Sequence, residues 1–146
     1  MNNQESDNAA LARKPAIKVS IGVYGLIRSP QEIAALLGLA PTRTWVKGER
    51  IQESLLFHKS NRWILDGPSD PSRPFIDQVE ALLDQVTPLA GKFSELPDDL
   101  EVLVYCVVYN YDRETDLSLS RTAIRTAARI GAQISIVYYD MTNYED

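Results

Sequence analysis

Residues 101–111 read Glu101-Val102-Leu103-Val104-Tyr105-Cys106-Val107-Val108-Tyr109-Asn110-Tyr111. A nearly continuous run of Val and Tyr, with no Gly or Pro, predicts a central strand largely covered on both faces. Upstream, Ile17, Val19, Ile21 and Val23 alternate with Lys18, Ser20, Gly22 and Tyr24. That period of two predicts a half-buried strand. Ser29-Pro30-Gln31-Glu32 then combines an N-cap, a proline at the first helical position and a capping-box Glu. Ile33, Leu36 and Leu37 form the expected buried stripe of this helix, which Gly38 and Pro41 end. Downstream of the central run, an acidic loop from Asp112 to Asp116 leads to a helix capped by Ser118 or Ser120. Its inward residues read as Ile124, Ala127, Ala128 and Ile130, with Gly131 at its end. Gln133–Tyr139 reads as the last strand, with Ile134, Ile136 and Tyr138 on one face.

Between these halves the signals vary in strength. Thr44-Trp45-Val46 fits a short strand. Leu55–His58 and Arg62–Leu65 fit a hairpin around Lys59-Ser60-Asn61, and 66–74 is a Pro-, Gly-, Ser- and Asp-rich loop. Phe75, Ile76, Val79, Leu82, Leu83, Val86 and Leu89 recur at helical spacing, with Pro88 expected to kink or end the helix. Residues 91–99 read as a connector. The expected class is α+β: a mainly antiparallel sheet of about five strands, with two or three helices packed on one face. The order strand, turn, Ser-capped helix, Gly recurs at 17–38 and 101–131. It reads either as a duplicated, ferredoxin-like plan or as two common motifs met by chance. The division expected is a flexible N-terminal arm over 1–15 and a single domain over 16–146.

Composition excludes several chemistries. Of 146 residues, one is Cys and one is His, so multi-Cys and multi-His metal sites within one chain are ruled out. No metal or other cofactor is expected. The polar start of the chain lacks the apolar stretch of a signal peptide, and no run is long enough to cross a bilayer. A cytoplasmic location and no membrane partner are the expectations. The net charge of −5 is unevenly spread: 9 bases against 5 acids over 1–62, then 6 bases against 15 acids over 63–146. That balance disfavours nucleic acid and suits a basic protein partner, or serves only solubility.

Cys106 and His58 form the sole conceivable Cys–His pair, but Cys106 sits in a core-strand context that raises a thiol's pKa. The carboxylate pairs Glu49 with Glu53 and Asp98 with Asp99 lie in polar stretches. No HExxH, GxSxG or phosphate-loop pattern occurs, so no enzymatic activity is expected. Arg43, Lys47, Arg50, Lys59 and Arg62 interleave with Trp45, Phe57, His58 and Trp63. Such a patch stacks and holds a small ligand or nucleotide, or consists of packed aromatics with solvated cations around them. Arg121, Arg125 and Arg129 line one helix face. Tyr105, Tyr109 and Tyr111 recur on one side of the long strand, with Tyr138 and Tyr139 in the last; no RNA-recognition motif accompanies them.

Ser29-Pro30-Gln31-Glu32-Ile33, then Leu36-Leu37-Gly38-Leu39-Ala40-Pro41-Thr42, then Trp45, Lys47 and Gly48, resemble the opening of the bacterial domain-of-unknown-function family 4279. Trp63 falls at the place of that family's second Trp. Leu117-Ser118-Leu119-Ser120, Ile130-Gly131-Ala132 and Ile134-Ser135-Ile136 resemble its closing block. The likeness spans about residues 17–140, with Val137 where the family often carries Asp. The family has no established activity, and some of its relatives resemble immunity proteins of bacterial toxin systems in size and acidity. The leading expectation is therefore a non-enzymatic, protein-binding domain, most concretely an immunity-type inhibitor. Its expected partner surface is Tyr109, Tyr111, Asp112, Glu114, Asp116, Tyr139 and Asp140. The alternative is a small-ligand or nucleotide module built on Trp45, Lys47, Arg50, Arg62 and Trp63.

Overall fold

The computed structural model describes residues 16–68, 70, 72–111 and 115–142. The expected arm over 1–15, and Asp112 and Glu114 of the expected partner surface, lie outside the described residues. Five strands, β1 (Ala16–Gly25), β2 (Arg43–Trp45), β3 (Asn61–Asp66), β4 (Glu101–Asn110) and β5 (Ala132–Asp140), form one sheet in the order β2-β3-β1-β4-β5. Neighbours are antiparallel except β4 and β5, which run parallel. Among the described residues four helices accompany them: α1 (Pro30–Leu37), α2 (Phe75–Val86), the five-residue α3 (Ala90–Ser94) and α4 (Arg121–Arg129). The α+β class and mostly antiparallel sheet match the expectation. The first half is a split β-α-β, with β3 lying between β1 and β2. In the second half β5 lies directly beside β4, so the ferredoxin-like plan is not repeated there.

Local chemistry accounts for the helix ends. The Ser29 hydroxyl accepts the Glu32 N–H at 3.1 Å, and Pro30 opens α1. Gly38 takes the left-handed conformation (φ 67°) that stops it. Ser120, not Ser118, caps α4 by accepting from Ala123 N–H. The helix beginning at Phe75 gives way to a 3-10 turn over Thr87–Leu89, where Pro88 lacks an N–H.

The helices cover one face of the sheet. Ile17, Val19, Ile21 and Val23 of β1 meet Trp63 and Leu65 of β3 and Val104, Cys106 and Val108 of β4 there. Ile33 and Leu37 of α1, Val79 and Leu82 of α2, Phe93 of α3 and Ala123 of α4 close the layer. Two helical stripes differ from expectation. Leu36 is exposed, and α4 buries Ala123, Thr126 and Ala127 while Ile124 and Ala128 stay outside. Alanines let a helix backbone approach the sheet, so the phase of α4 follows small residues rather than its largest apolar one.

Two strand readings also change. The segment 62–65 pairs with β1 and β2, not with 55–58. Residues 55–58 instead fold back on 48–51, joined by His58 N–H to Glu49 O (2.8 Å) and Ile51 N–H to Leu56 O (2.8 Å). Leu55, Leu56 and Phe57 are consequently exposed. The strand β4 is covered on one face alone: Val104, Cys106 and Val108 are buried, whereas Leu103, Tyr105 and Val107 point to the helix-free side. It is next to the edge strand rather than central.

The Cys106 thiol is fully enclosed, and burial pushes its pKa up to about 12. Iodoacetamide at mildly alkaline pH should leave it unmodified in the folded protein and alkylate it in denaturant. Rapid labelling of folded protein, read by intact mass, would contradict that burial.

Candidate functional site

The helix-free face of the sheet forms a groove of about 810 Å³ across β2, β3, β1 and β4. Its origin is the alternation in β1. The residues between the buried apolar ones are Lys18, Ser20, Gly22 and Tyr24, polar or small, and none of them recruits a second layer. Apolar floor comes from Ile64, Leu103 and Val107, and polar wall from Arg43, Trp45, Arg62, Asp66 and Tyr105. Ile64 is only 3% exposed although no helix lies over it. On that face Arg43 is its register partner.

The two arginines of the wall are in opposite states. Arg43 donates to both Asp66 oxygens, Nε at 2.7 Å and Nη2 at 2.8 Å, and Thr42 Oγ1 adds a third donor to that carboxylate at 2.9 Å. The Arg43 hydrogen bonds hold the Asp66 carboxyl below its ordinary value of 3.8, with burial opposing. A depressed carboxyl stabilises the fold above its unfolded pKa and loses that contribution as pH falls through the folded one. Acidification below pH 3.8 should therefore lower the melting temperature of the wild type more steeply than that of Asp66→Asn. Parallel curves for the two proteins would contradict this.

Among the described residues Arg62 has no such neutraliser. Its guanidinium lies 4.5 Å from the centroid of Tyr24 and 4.7 Å from that of Trp45. Its Nε is buried without a hydrogen-bond partner, and no ion pair reaches it among the described residues. Burial pushes its pKa down, the Tyr24 and Tyr105 hydroxyls opposing. Gly22 makes this position possible: a Cβ there would stand 3.3 Å from Arg62 Cδ. On the far side of Tyr24, a hydrogen bond with Glu101 pushes the phenol pKa up, and burial adds to it. Trp45 also stacks on His58, ring centroids 4.5 Å apart, so His58 is a packing partner and not a free hairpin side chain.

Of the expected ligand patch, the structure thus keeps Trp45 and Arg62 in the groove. Trp63 points to the other face, fully buried, its Nε1 donating to Leu39 O at 3.0 Å. Lys47 and Arg50 are exposed on the 46–58 segment and do not line the groove. Of the expected partner surface, Tyr109 and Tyr139 stack at 4.9 Å on the groove side of β4 and β5. Tyr111 lies just past β4. The Asp116 and Asp140 carboxylates accept from Ser118 and Thr142 two residues on, which pushes both pKa values down. Cys106 and His58 lie on opposite faces of the sheet and form no pair. Glu49 and Glu53 are exposed, and Asp99 accepts from Arg28 at 3.3 Å. Among the described residues, no three His, Cys, Asp or Glu side chains gather as a metal site. No helix among them is long and apolar enough to cross a membrane.

The residues reasoning from sequence missed are Gly22, Tyr24 and Asp66; Tyr105 was noted only as one of a row of strand tyrosines. Their signal was the polar phase of the β1 alternation, which names one wall of the groove without its partners.

The family model described as Domain of unknown function (DUF4279) matches residues 15–141. The chain belongs to that family. No curated protein and no solved structure matches it.

Proposed function

We propose that this family member is a ligand-binding domain whose helix-free sheet face seats a small molecule carrying a carboxylate or phosphate on an apolar or aromatic body. One observation carries the reading: the Arg62 cation is half-buried in the groove wall, and among the described residues no carboxylate neutralises it. Desolvating a guanidinium without a counter-charge is costly, and an anionic ligand removes that cost. The part-exposed apolar floor of Leu103 and Val107 supplies the body's share of affinity. The volume of about 810 Å³ is ample for such a molecule. Arg43 is already satisfied by Asp66 and shapes the rim rather than taking the anion.

The test is a thermal-shift series with inorganic phosphate, phenyl phosphate, benzoate and a nucleoside monophosphate. At least one aromatic anion should raise the melting temperature of the wild type clearly more than that of Arg62→Met at the same concentration. Equal shifts in both proteins, or none in either, would contradict the reading.

A second reading is a protein partner, in its most concrete form the target of an immunity-type inhibitor. The stacked Tyr109 and Tyr139 pair beside Asp140 favours it, since Tyr is enriched in protein interfaces.

A further inference from the structure

The sheet ends differently on its two sides. One edge is β2, only three residues long, and shortness itself blunts an edge. The other is β5, nine residues long, with no Pro, no Gly and no charge before Asp140. No strand pairs with its outer side among the described residues. Ile136, Tyr138 and Tyr139 are 37%, 44% and 47% exposed, and α4 above adds Ile124 at 52%. A long, apolar edge without bulge, proline or guarding charge is a template for another strand.

We infer that β5 pairs antiparallel with β5 of a second copy of this chain, about a two-fold axis normal to the sheet, giving one continuous ten-stranded sheet. Directly opposed residues in an antiparallel pair share a face, so the axis passes midway between one residue and its own copy. Full overlap of Ala132–Asp140 places it at Ile136, which then meets its own counterpart. Ile134 meets Tyr138 on the helix side, apolar against apolar. Asp140, the sole charge of the strand, comes opposite Ala132, three residues beyond Arg129. Arg121, Arg125 and Arg129 of α4 have no ion-pair partner among the described residues. This register therefore brings the strand's acid to the helix's last base, a complementarity that a second copy supplies by symmetry. A single pair of strands is a small interface, so association belongs in the micromolar range or weaker.

Sedimentation velocity from micromolar to millimolar protein should show a shift from 16.4 kDa toward twice that mass. Ile136→Lys and Ile136→Glu each set like charges face to face on the axis and should each stay monomeric. An equimolar mixture of the two should dimerise again. A wild type monomeric throughout, variants that dimerise unaided, or a mixture of folded variants that stays monomeric would each overturn the inference. Hydrogen exchange of β5 in the wild type gives a reading without substitution. Protection that rises with protein concentration supports the pairing, and protection independent of concentration overturns it.

Discussion

Arg62→Met is expected to weaken binding of an aromatic phosphate or carboxylate roughly ten- to hundredfold while shifting the melting temperature by only a few degrees. The first half follows from losing charge-assisted hydrogen bonds to the anion, worth about 1.5–3 kcal/mol. The second follows from a near cancellation within the ligand-free protein. Each cation–π contact, with Tyr24 and with Trp45, contributes about 0.5–1 kcal/mol. Against them stands the buried Nε–H without a partner, which costs about 1–3 kcal/mol. Methionine keeps the apolar stem over Gly22 and removes both the attraction and the penalty. A residue that stabilises little but binds much is the pattern of a binding site, where local rules of polar satisfaction are broken for function. Isothermal titration and differential scanning calorimetry on the same two proteins separate the halves. A large drop in melting temperature with unchanged affinity would make Arg62 a structural residue.

The two tryptophans should answer oppositely to truncation. Trp63→Ala removes a ring that is fully buried between β3, α1 and α3, edge-on to Phe93, together with its hydrogen bond to Leu39 O. Such a loss costs about 3–5 kcal/mol, which for a domain of this size lowers the melting temperature by roughly 10–20 °C. Trp45→Ala removes a half-buried ring at the end of a three-residue edge strand and should cost far less stability. Its effect falls on the groove, because Arg62 and His58 both pack on that ring. Thermal melts paired with titrations of the aromatic anion read both. Similar melting temperatures for the two variants would contradict the placement of these rings on opposite faces.

Much of the fold was legible because it is local. The β1 alternation, the Ser29–Pro30 helix start, the Gly38 stop and the periodic helix from Phe75 each carry their cause within a few residues. Strand order was not legible, since pairing is a choice among distant partners. Arg62–Leu65 had the nearby 55–58 segment available and chose β1 and β2 instead. The continuous apolar run of β4 misled in an informative way. The run was read as covered on both faces, whereas Leu103, Tyr105 and Val107 face the open groove. An apolar sheet face with no layer to cover it is itself the mark of a binding surface. On α4, Ile124 outweighed Ala123 in the sequence pattern, while close packing favoured the alanine. Of the site, Trp45 and Arg62 were visible as a basic, aromatic cluster. Trp63 shared that cluster in sequence but, one residue from Arg62 on a strand, it had to point the other way.

The most direct test of the groove as the binding site is a ¹H–¹⁵N NMR titration with phenyl phosphate and benzoate, following the backbone amides and the Arg62 Nε–H. At least one of these anions is expected to shift the Arg62 Nε–H resonance and the amides of Gly22, Arg62 and Tyr105. In Arg62→Met the same amide shifts should need roughly ten- to hundredfold more anion. No shift with either anion, shifts confined to the helical face, or an unchanged half-saturating concentration in Arg62→Met would contradict the groove as the binding site.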